Sequence, residues 1–428
     1  PECKQWNTVN EVVAQARPAG RFRGYSGQLS NEVKSLSSVG RSTVERLEIG
    51  VGELDRVLGG GIVPGSVILL GGDPGIGKST LLMQLTAALS TRVHGLYITG
   101  EESLEQLGMR ARRLELSLDG IRCLTETSIE QILGHADQEK PRLMVVDSIQ
   151  TVYTENLSSA PGSVAQIRES AAALVRWAKE NQCCVILVGH VTKEGALAGP
   201  RVLEHMVDSV LYFESDGGSR YRVIRAIKNR FGAVNELGMF AMTGTGLKEV
   251  KNPSAIFLSG HEQPVSGSVV TVVREGTRPI MLEVQALVDP SHLNNPRRVA
   301  LGLEHNRLAM MLAVLHRHGG IALSDHDVFI NVVGGMRVSE TAADLPMLIA
   351  LYSSFRDRPL PEKMFCFGEV GLSGEIRPVP DGEQRLKEAA GHGFTTAFVP
   401  LANKPRKPVK GLNVVGLTQV SGALEKVS

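Results

Sequence analysis

The stretch Ser66-Val67-Ile68-Leu69-Leu70-Gly71-Gly72-Asp73-Pro74-Gly75-Ile76-Gly77-Lys78-Ser79-Thr80 decides the fold. Residues 66–70 form a short apolar run that ends in glycines, which suits a buried strand. Gly72 to Ser79 then match G-x-x-x-x-G-K-[ST], and Lys78–Leu89 carries apolar residues at helical spacing. Strand, glycine loop and helix in that order is the context a phosphate-cradling loop requires. Glycines let consecutive backbone N–H groups turn onto phosphate oxygens, and the helix N-terminus adds its positive dipole. In this reading Gly72, Asp73, Pro74, Gly75, Ile76, Gly77, Lys78, Ser79 and Thr80 bind ATP. Lys78 reaches the β- and γ-phosphates and the Ser79 hydroxyl ligates Mg²⁺.

Outward from this loop, strand and helix signals alternate. Residues 96–99 read as a strand, 103–114 as a helix carrying Arg110, Arg112 and Arg113, and 143–146 as a buried strand. An amphipathic helix follows at 164–179 and a buried strand at 184–188. Apolar strands separated by helices predict a parallel sheet covered on both faces. The later strand signals, 209–213, 221–227 and 239–242, have no helices between them and are expected to extend the sheet antiparallel. Residues 255–428 predict a second, α+β unit. It has a hairpin of 269–273 and 280–288 around Glu275-Gly276, helices at 304–316 and 342–354, and strands at 328–333, 365–370 and 397–399. The expected organisation is a basic linker over 1–46, an ATPase domain over 47–254 and an α+β domain over 255–428.

The composition agrees. A chain of 428 residues is too long for one ordinary core, and 42% hydrophobic side chains exclude a disordered polymer. No apolar run approaches the roughly 20 residues of a membrane span, and no signal segment opens the sequence. Five scattered cysteines fit a reducing compartment, so a cytoplasmic location is expected. A net charge of +1 excludes nucleic-acid binding by bulk charge, though not by a local groove.

Several residues outside the loop carry chemistry. Asp147 ends the buried strand 143–146, where an acid is costly unless it serves a metal shell or a hydrogen-bond network. It is placed to hold Mg²⁺ together with Ser79. Ser148 follows where a second acid might stand, so the attacking water needs a base from elsewhere. Glu101 and Glu102, at the end of the strand after the loop, supply candidates; Glu101 is preferred, and Glu102 alternatively favours a helix N-terminus. Lys228 and Arg230 in Lys228-Asn229-Arg230-Phe231-Gly232 follow a strand bearing Arg222 and Arg225. They either complete a γ-phosphate site on a neighbouring subunit or form a solvated basic turn. His190, at the tip of the strand 184–188, either senses the γ-phosphate or bonds to backbone.

The stretches GGDPGIGKSTLL, YITGEES, VVDSIQT, GHVTKEG, AGPRVLEH and KNRFG resemble, in order and spacing, the RecA-type ATPases and more closely the bacterial RadA (Sms) recombination family. The resemblance covers essentially the whole chain. It implies a RecA-like P-loop core followed by a Lon-protease-like domain of the ribosomal protein S5 domain 2 type. It further implies a DNA-dependent, helicase-like ATPase of homologous recombination and DNA repair. The expected partners are single-stranded DNA, branched recombination intermediates and the RecA recombinase, and the expected assembly is a homo-hexamer with no membrane. Lys228 and Arg230 become the pair acting on a neighbour's nucleotide. Loops 150–166 and 192–205 become the channel loops, with Tyr153, Lys193 and Arg201 as contacts. Such loops are expected to move, and so not to be pinned by a large core.

Cys3 with Trp6-Asn7-Thr8 resembles the end of that family's four-cysteine zinc finger; three ligands are absent, so the chain resembles a truncated one and zinc is not expected in it. In the Lon-like unit, Ala342 stands where the nucleophilic serine belongs, and 381–385 offers Glu or Gln where a lysine belongs. A catalytically inactive domain follows, with Arg297, Arg298, Arg307 and the Lys404, Arg406, Lys407, Lys410 run as a possible outer DNA groove. An ATP-dependent protease and a protein-directed ATPase switch are the alternative functions.

Overall fold

The computed structural model describes residues 45–190, 200–215, 220–258, 264–292 and 294–428. In chain order the N-terminal part comprises α1 (Gly52–Leu58), β1 (Val67–Gly72), α2 (Lys78–Leu89), β2 (Gly95–Thr99), α3 (Leu104–Arg113), β3 (Ile121–Thr125), α4 (Ile129–Glu139) and β4 (Leu143–Asp147). It continues through α5 (Val164–Asn181), β5 (Cys184–His190), α6 (Pro200–Glu204), β6 (Ser209–Glu214), β7 (Tyr221–Asn229), β8 (Leu237–Thr243) and β9 (Gly246–Glu249). Among the described residues these strands form one nine-stranded sheet in the order β3-β2-β4-β5-β1-β6-β7-β8-β9. β1 and β4 are buried along their whole lengths, as strands covered on both faces must be. One face packs on α2 and α3 through Leu81, Leu85 and Leu107, the other on α4 and α5 through Ile132, Leu174 and Val175. Local signals start the helices. Ser103 and Gln106 form a reciprocal capping box at α3, and the Ser163 hydroxyl caps α5.

The predicted parallel core is present, with one correction. β6, expected to be antiparallel, pairs parallel with β1 (Ile68 opposite Ser209), and antiparallel pairing begins only at β7. The reason is the connection: α6 lies between β5 and β6, so the chain crosses back before re-entering the sheet. Five elements of this part were not anticipated: the helices α1, α4 and α6, the partly exposed strand β3 and the edge strand β9.

The C-terminal part comprises α7 (Ser254–Phe257), β10 (Ser268–Glu275), β11 (Arg278–Pro290), β12 (Arg298–Leu301), α8 (His305–Gly319), β13 (His326–Val332), α9 (Asp344–Phe355), β14 (Met364–Cys366), β15 (Glu369–Val370) and β16 (Ile376–Arg377). It ends in α10 (Gly382–Gly391), β17 (Thr396–Pro400), β18 (Asn413–Leu417) and α11 (Val420–Val427). Its main sheet runs β12-β13-β11-β10-β14-β17-β18. The expected hairpin closes with Glu275 opposite Arg278, and Gly276 at φ 61° occupies the left-handed turn position. Helices α8, α9 and α11 cover one face of the sheet, and α10 covers the other.

The two parts are joined by more than the chain. Leu237 and Met239 of β8 are buried in the C-terminal core. Arg278 donates to both carboxylate oxygens of Glu53 on α1, at 2.9 and 3.1 Å, and Arg225 on β7 pairs with Glu275 at 2.9 Å. The expected outer groove loses a member, because Arg307 is turned inward onto the buried Asp344 of α9. Arg298 likewise spends its guanidinium on the carbonyls of Leu323 and His326. Lys404, Arg406, Lys407 and Lys410 are exposed. No helix among the described residues is long and apolar enough to cross a membrane.

Candidate nucleotide site

The loop between β1 and α2 is built as the sequence predicts. Gly72 has φ 152°, and a Cβ there would meet the Phe213 carbonyl oxygen at 2.7 Å. Gly77 has φ 117°, with Met242 Cε 2.7 Å from where a Cβ would sit. Only glycine satisfies both the conformation and the space at these two points. Lys78 opens α2 and is buried, its Nζ donating to the carbonyls of Gly72 at 2.8 Å and Asp73 at 2.9 Å. Burial lowers its pKa below the ordinary lysine value, opposed by the nearby charges of Asp147, Glu101 and Asp73. The ammonium is therefore poised between loop backbone and acidic cluster, where phosphate oxygens replace carbonyls as acceptors. Ser79 and Thr80 lie in the first turn of the same helix.

Sheet order brings the acids to this loop. β4 pairs with β2, with Thr99 opposite Asp147, so Gly100 and Glu101 emerge beside Asp147. Asp147 is buried and accepts a hydrogen bond from Tyr97 Oη at 2.6 Å. Burial, then the Asp147 charge, pushes the Tyr97 phenol well above its usual range, so it remains a donor. Glu101 and Glu102 diverge. Glu101 accepts from Ser148 Oγ at 2.5 Å and lies within electrostatic range of Lys78. Glu102 turns toward α3 and pairs with Arg110, its backbone N–H donating to Thr99 Oγ1 at 3.0 Å. Ser148, the residue after Asp147 and noted only as a missing acid, holds the Glu101 carboxylate through its hydroxyl instead.

His190 ends β5 opposite Gly72, beside the loop. Its side chain lies outside the described residues, as do Cys3, Lys193 and the side chain of Arg201. The loop after Asp147 corrects an expectation. Val152 and Thr154 are buried, and Gln166 Nε2 donates to the carbonyls of Thr154, Leu157 and Ser159, so this segment is tied down. Between Gln150 and Ser163 it holds Glu155 and no cation.

Lys228 and Arg230 stand at the other end of the sheet. Asn229 is opposite Ser209, the first residue of β6, whereas the nucleotide loop leaves the far end of the adjoining β1. Lys228 Nζ donates to the carbonyls of Glu204 at 2.6 Å and Val207 at 2.9 Å, and Arg230 pairs with Asp208 at 3.1 Å. Burial and the Arg230 charge lower the Lys228 pKa.

A magnesium ion fits the donors present. Ser79 and Asp147 offer only hard oxygen ligands, and Mg²⁺ bound with a nucleotide takes most of its shell from phosphates and water. Among the described residues no group of three His, Cys, Asp or Glu side chains makes an all-protein metal cage.

Sequence reasoning gave no role to Tyr97, Arg110, Arg222 or Arg385, although it placed Arg110 on a helix and Arg222 on a strand. Arg222 Nε donates to the Ile76 carbonyl inside the nucleotide loop at 3.2 Å. In the C-terminal domain Ala342 is fully buried, with no hydroxyl where a nucleophile belongs. Arg385, the last residue of the segment 381–385, is also buried; it pairs with Glu340 and donates to the Val272 carbonyl at 2.6 Å.

The family described as AAA domain matches residues 42–196, and that described as subunit ChlI of Mg-chelatase matches residues 304–403. The fold is thus a RecA-like P-loop ATPase core followed by a Lon-protease-like α+β domain. Over 425 residues the chain is 61% identical to the DNA repair protein RadA of Pseudomonas aeruginosa, covering 99% of this chain and 94% of that protein. The RadA protein of Escherichia coli is 56% identical over 427 residues, with 99% and 93% covered, and that of Bacillus subtilis 47% identical over 430 residues, again with 99% and 93% covered. With identity at this level over almost its entire length, the chain belongs to the RadA family of DNA repair proteins.

Proposed function

We propose that this protein is a DNA-dependent ATPase of homologous recombination and repair, working as a ring-shaped homo-hexamer on single-stranded DNA. Hydrolysis drives branch migration and processing of branched intermediates in the cytoplasm, in company with the RecA recombinase. Residues 47–254 are the motor and 255–428 a proteolytically inactive, assembly-directed domain, since Ala342 offers no nucleophile and the cation of the segment 381–385, Arg385, is spent on Glu340 and the Val272 carbonyl.

The observation that carries the ring is the position of Lys228 and Arg230. They sit one strand length from their own nucleotide loop, at the opposite sheet end, so a neighbour's nucleotide is what they can serve. Within one subunit, Lys78 and the loop amides bind the phosphates, Ser79 and Asp147 hold Mg²⁺, and Glu101, oriented by Ser148, takes the proton of the attacking water. The neighbour's Lys228 and Arg230 neutralise the charge that develops on the γ-phosphate. Mg²⁺, when bound, would be held by Ser79 and Asp147 and would supply positive charge that offsets the charge developing on the phosphates.

The test is the ATP hydrolysis rate with and without single-stranded DNA across a salt series. Stimulation that fades as salt rises is the expected result, because phosphate contacts are lost by counterion competition. A rate indifferent to DNA would return the function to a protein-directed switch.

A further inference from the structure

Arg222 is the second residue of β7, and its side chain reaches into the nucleotide loop from outside. Its Nε donates to the Ile76 carbonyl at 3.2 Å, and its Nη1 to the Tyr221 carbonyl at 2.9 Å. Ile76 precedes Gly77, whose φ of 117° places it in the region that only glycine adopts readily. The peptide joining the two is trans, since the cis bond among the described residues is Asp147–Ser148. In a planar trans peptide the C=O and N–H point in opposite directions. A guanidinium that holds the Ile76 carbonyl outward therefore holds the Gly77 N–H inward, toward the space that receives phosphate. The Ile76 N–H donates to the Asp73 carbonyl at 3.4 Å and Lys78 Nζ to the Gly72 and Asp73 carbonyls, bonds that constrain the preceding peptides instead.

β7 is itself braced from its other face. Side chains alternate along a strand, so Tyr221, Val223 and Arg225 face away from Arg222. Arg225 pairs there with Glu275 of the C-terminal hairpin at 2.9 Å, and Val223 packs on the C-terminal core. The arginine that grips the loop thus stands on a strand fixed by the second domain.

We propose that Arg222 is a positioning residue for nucleotide binding: by fixing the Ile76–Gly77 peptide it presents the Gly77 N–H to the phosphates without touching the nucleotide itself. This rests on reading residues 72–80 as the nucleotide loop. The peptide's orientation matters equally in ground and transition states, so its loss raises KM and leaves kcat at saturation nearly unchanged.

The test measures binding of a fluorescent ATP analogue, KM and kcat, and the nucleotide-free Tm for Arg222→Ala, Arg222→Lys and Lys78→Ala in the full chain. Arg222→Ala is expected to weaken binding and raise KM about tenfold, one hydrogen bond's worth, with Tm within about 2 °C. Arg222→Lys, whose ammonium reaches the same carbonyl, stays within about threefold of the wild type. Unchanged affinity in Arg222→Ala overturns the proposal, as does an equal loss in both arginine variants. Wild-type binding by Lys78→Ala would instead overturn the nucleotide-loop reading on which it rests.

Discussion

Glu101 follows β2 and accepts the Ser148 hydroxyl, while Glu102 turns away to Arg110 on α3. Neighbours in sequence thus have separate work, and substitution separates them. Glu101→Gln should lower kcat by about 10² to 10⁴, the usual contribution of a positioned general base, with nucleotide affinity nearly intact. Glu102→Gln should leave kcat within a small factor and cost about 1 kcal/mol in a urea melt, through the weakened bond to Arg110. Steady-state rates and melts on the two variants decide it; equal kcat losses would contradict the assignment. The local part of this site was legible in the sequence. Gly72 to Ser79 carry their chemistry in consecutive residues, and Asp147 declares itself as an acid ending an apolar strand. Tyr97 and Arg222 were not legible, because their partners lie 50 and 146 residues away and only the sheet brings them together. Tyr97 left one signal, a phenol hydroxyl between the apolar Leu96 and Ile98.

β7 concentrates contacts that no single motif announces. From one end to the other it carries Arg222 on the nucleotide loop, Arg225 on the C-terminal hairpin, and Lys228 with Arg230 at its exit. Lys228 and Arg230 are held by the Glu204 and Val207 carbonyls and by Asp208, contacts that the proposed service to a neighbour's γ-phosphate would require them to give up. Replacing both by alanine should reduce hydrolysis by the assembled protein by about 10³, the lower range for arginine-finger loss, while nucleotide affinity changes little. Rate and affinity measured side by side check this, and normal turnover would refute the shared site. Elements with strong periodicity or full burial, such as α5, β1 and β4, were readable. β3 was not, because it is partly exposed along its length and lacks the continuous apolar run of β4. α4 left a usable pattern in Ile129, Ile132, Leu133 and Ala136, spaced as one helical face. The direction of β6 depended on the crossover before it, which strand propensity does not encode.

Across the whole molecule, the two sheets share a boundary that is partly apolar and partly ionic. Leu237 and Met239 enter the C-terminal core, and Arg278 neutralises the buried Glu53. Removing one partner of such a buried pair is costly because the other charge is stranded, so the boundary resists separation. In the proposed ring the N-terminal sheet presents its nucleotide loop at one end and the segment bearing Lys228 and Arg230 at the other. Repetition of such a head-to-tail contact closes a ring when the rotation permits. A site divided in this way is silent in a lone subunit. The most direct test is the ATP hydrolysis rate per subunit measured over a dilution series, with sedimentation at each concentration reporting assembly. Turnover is expected to rise with the assembled fraction and to be nearly absent where the protein is monomeric; a full rate per subunit in the monomer would contradict a site shared between subunits.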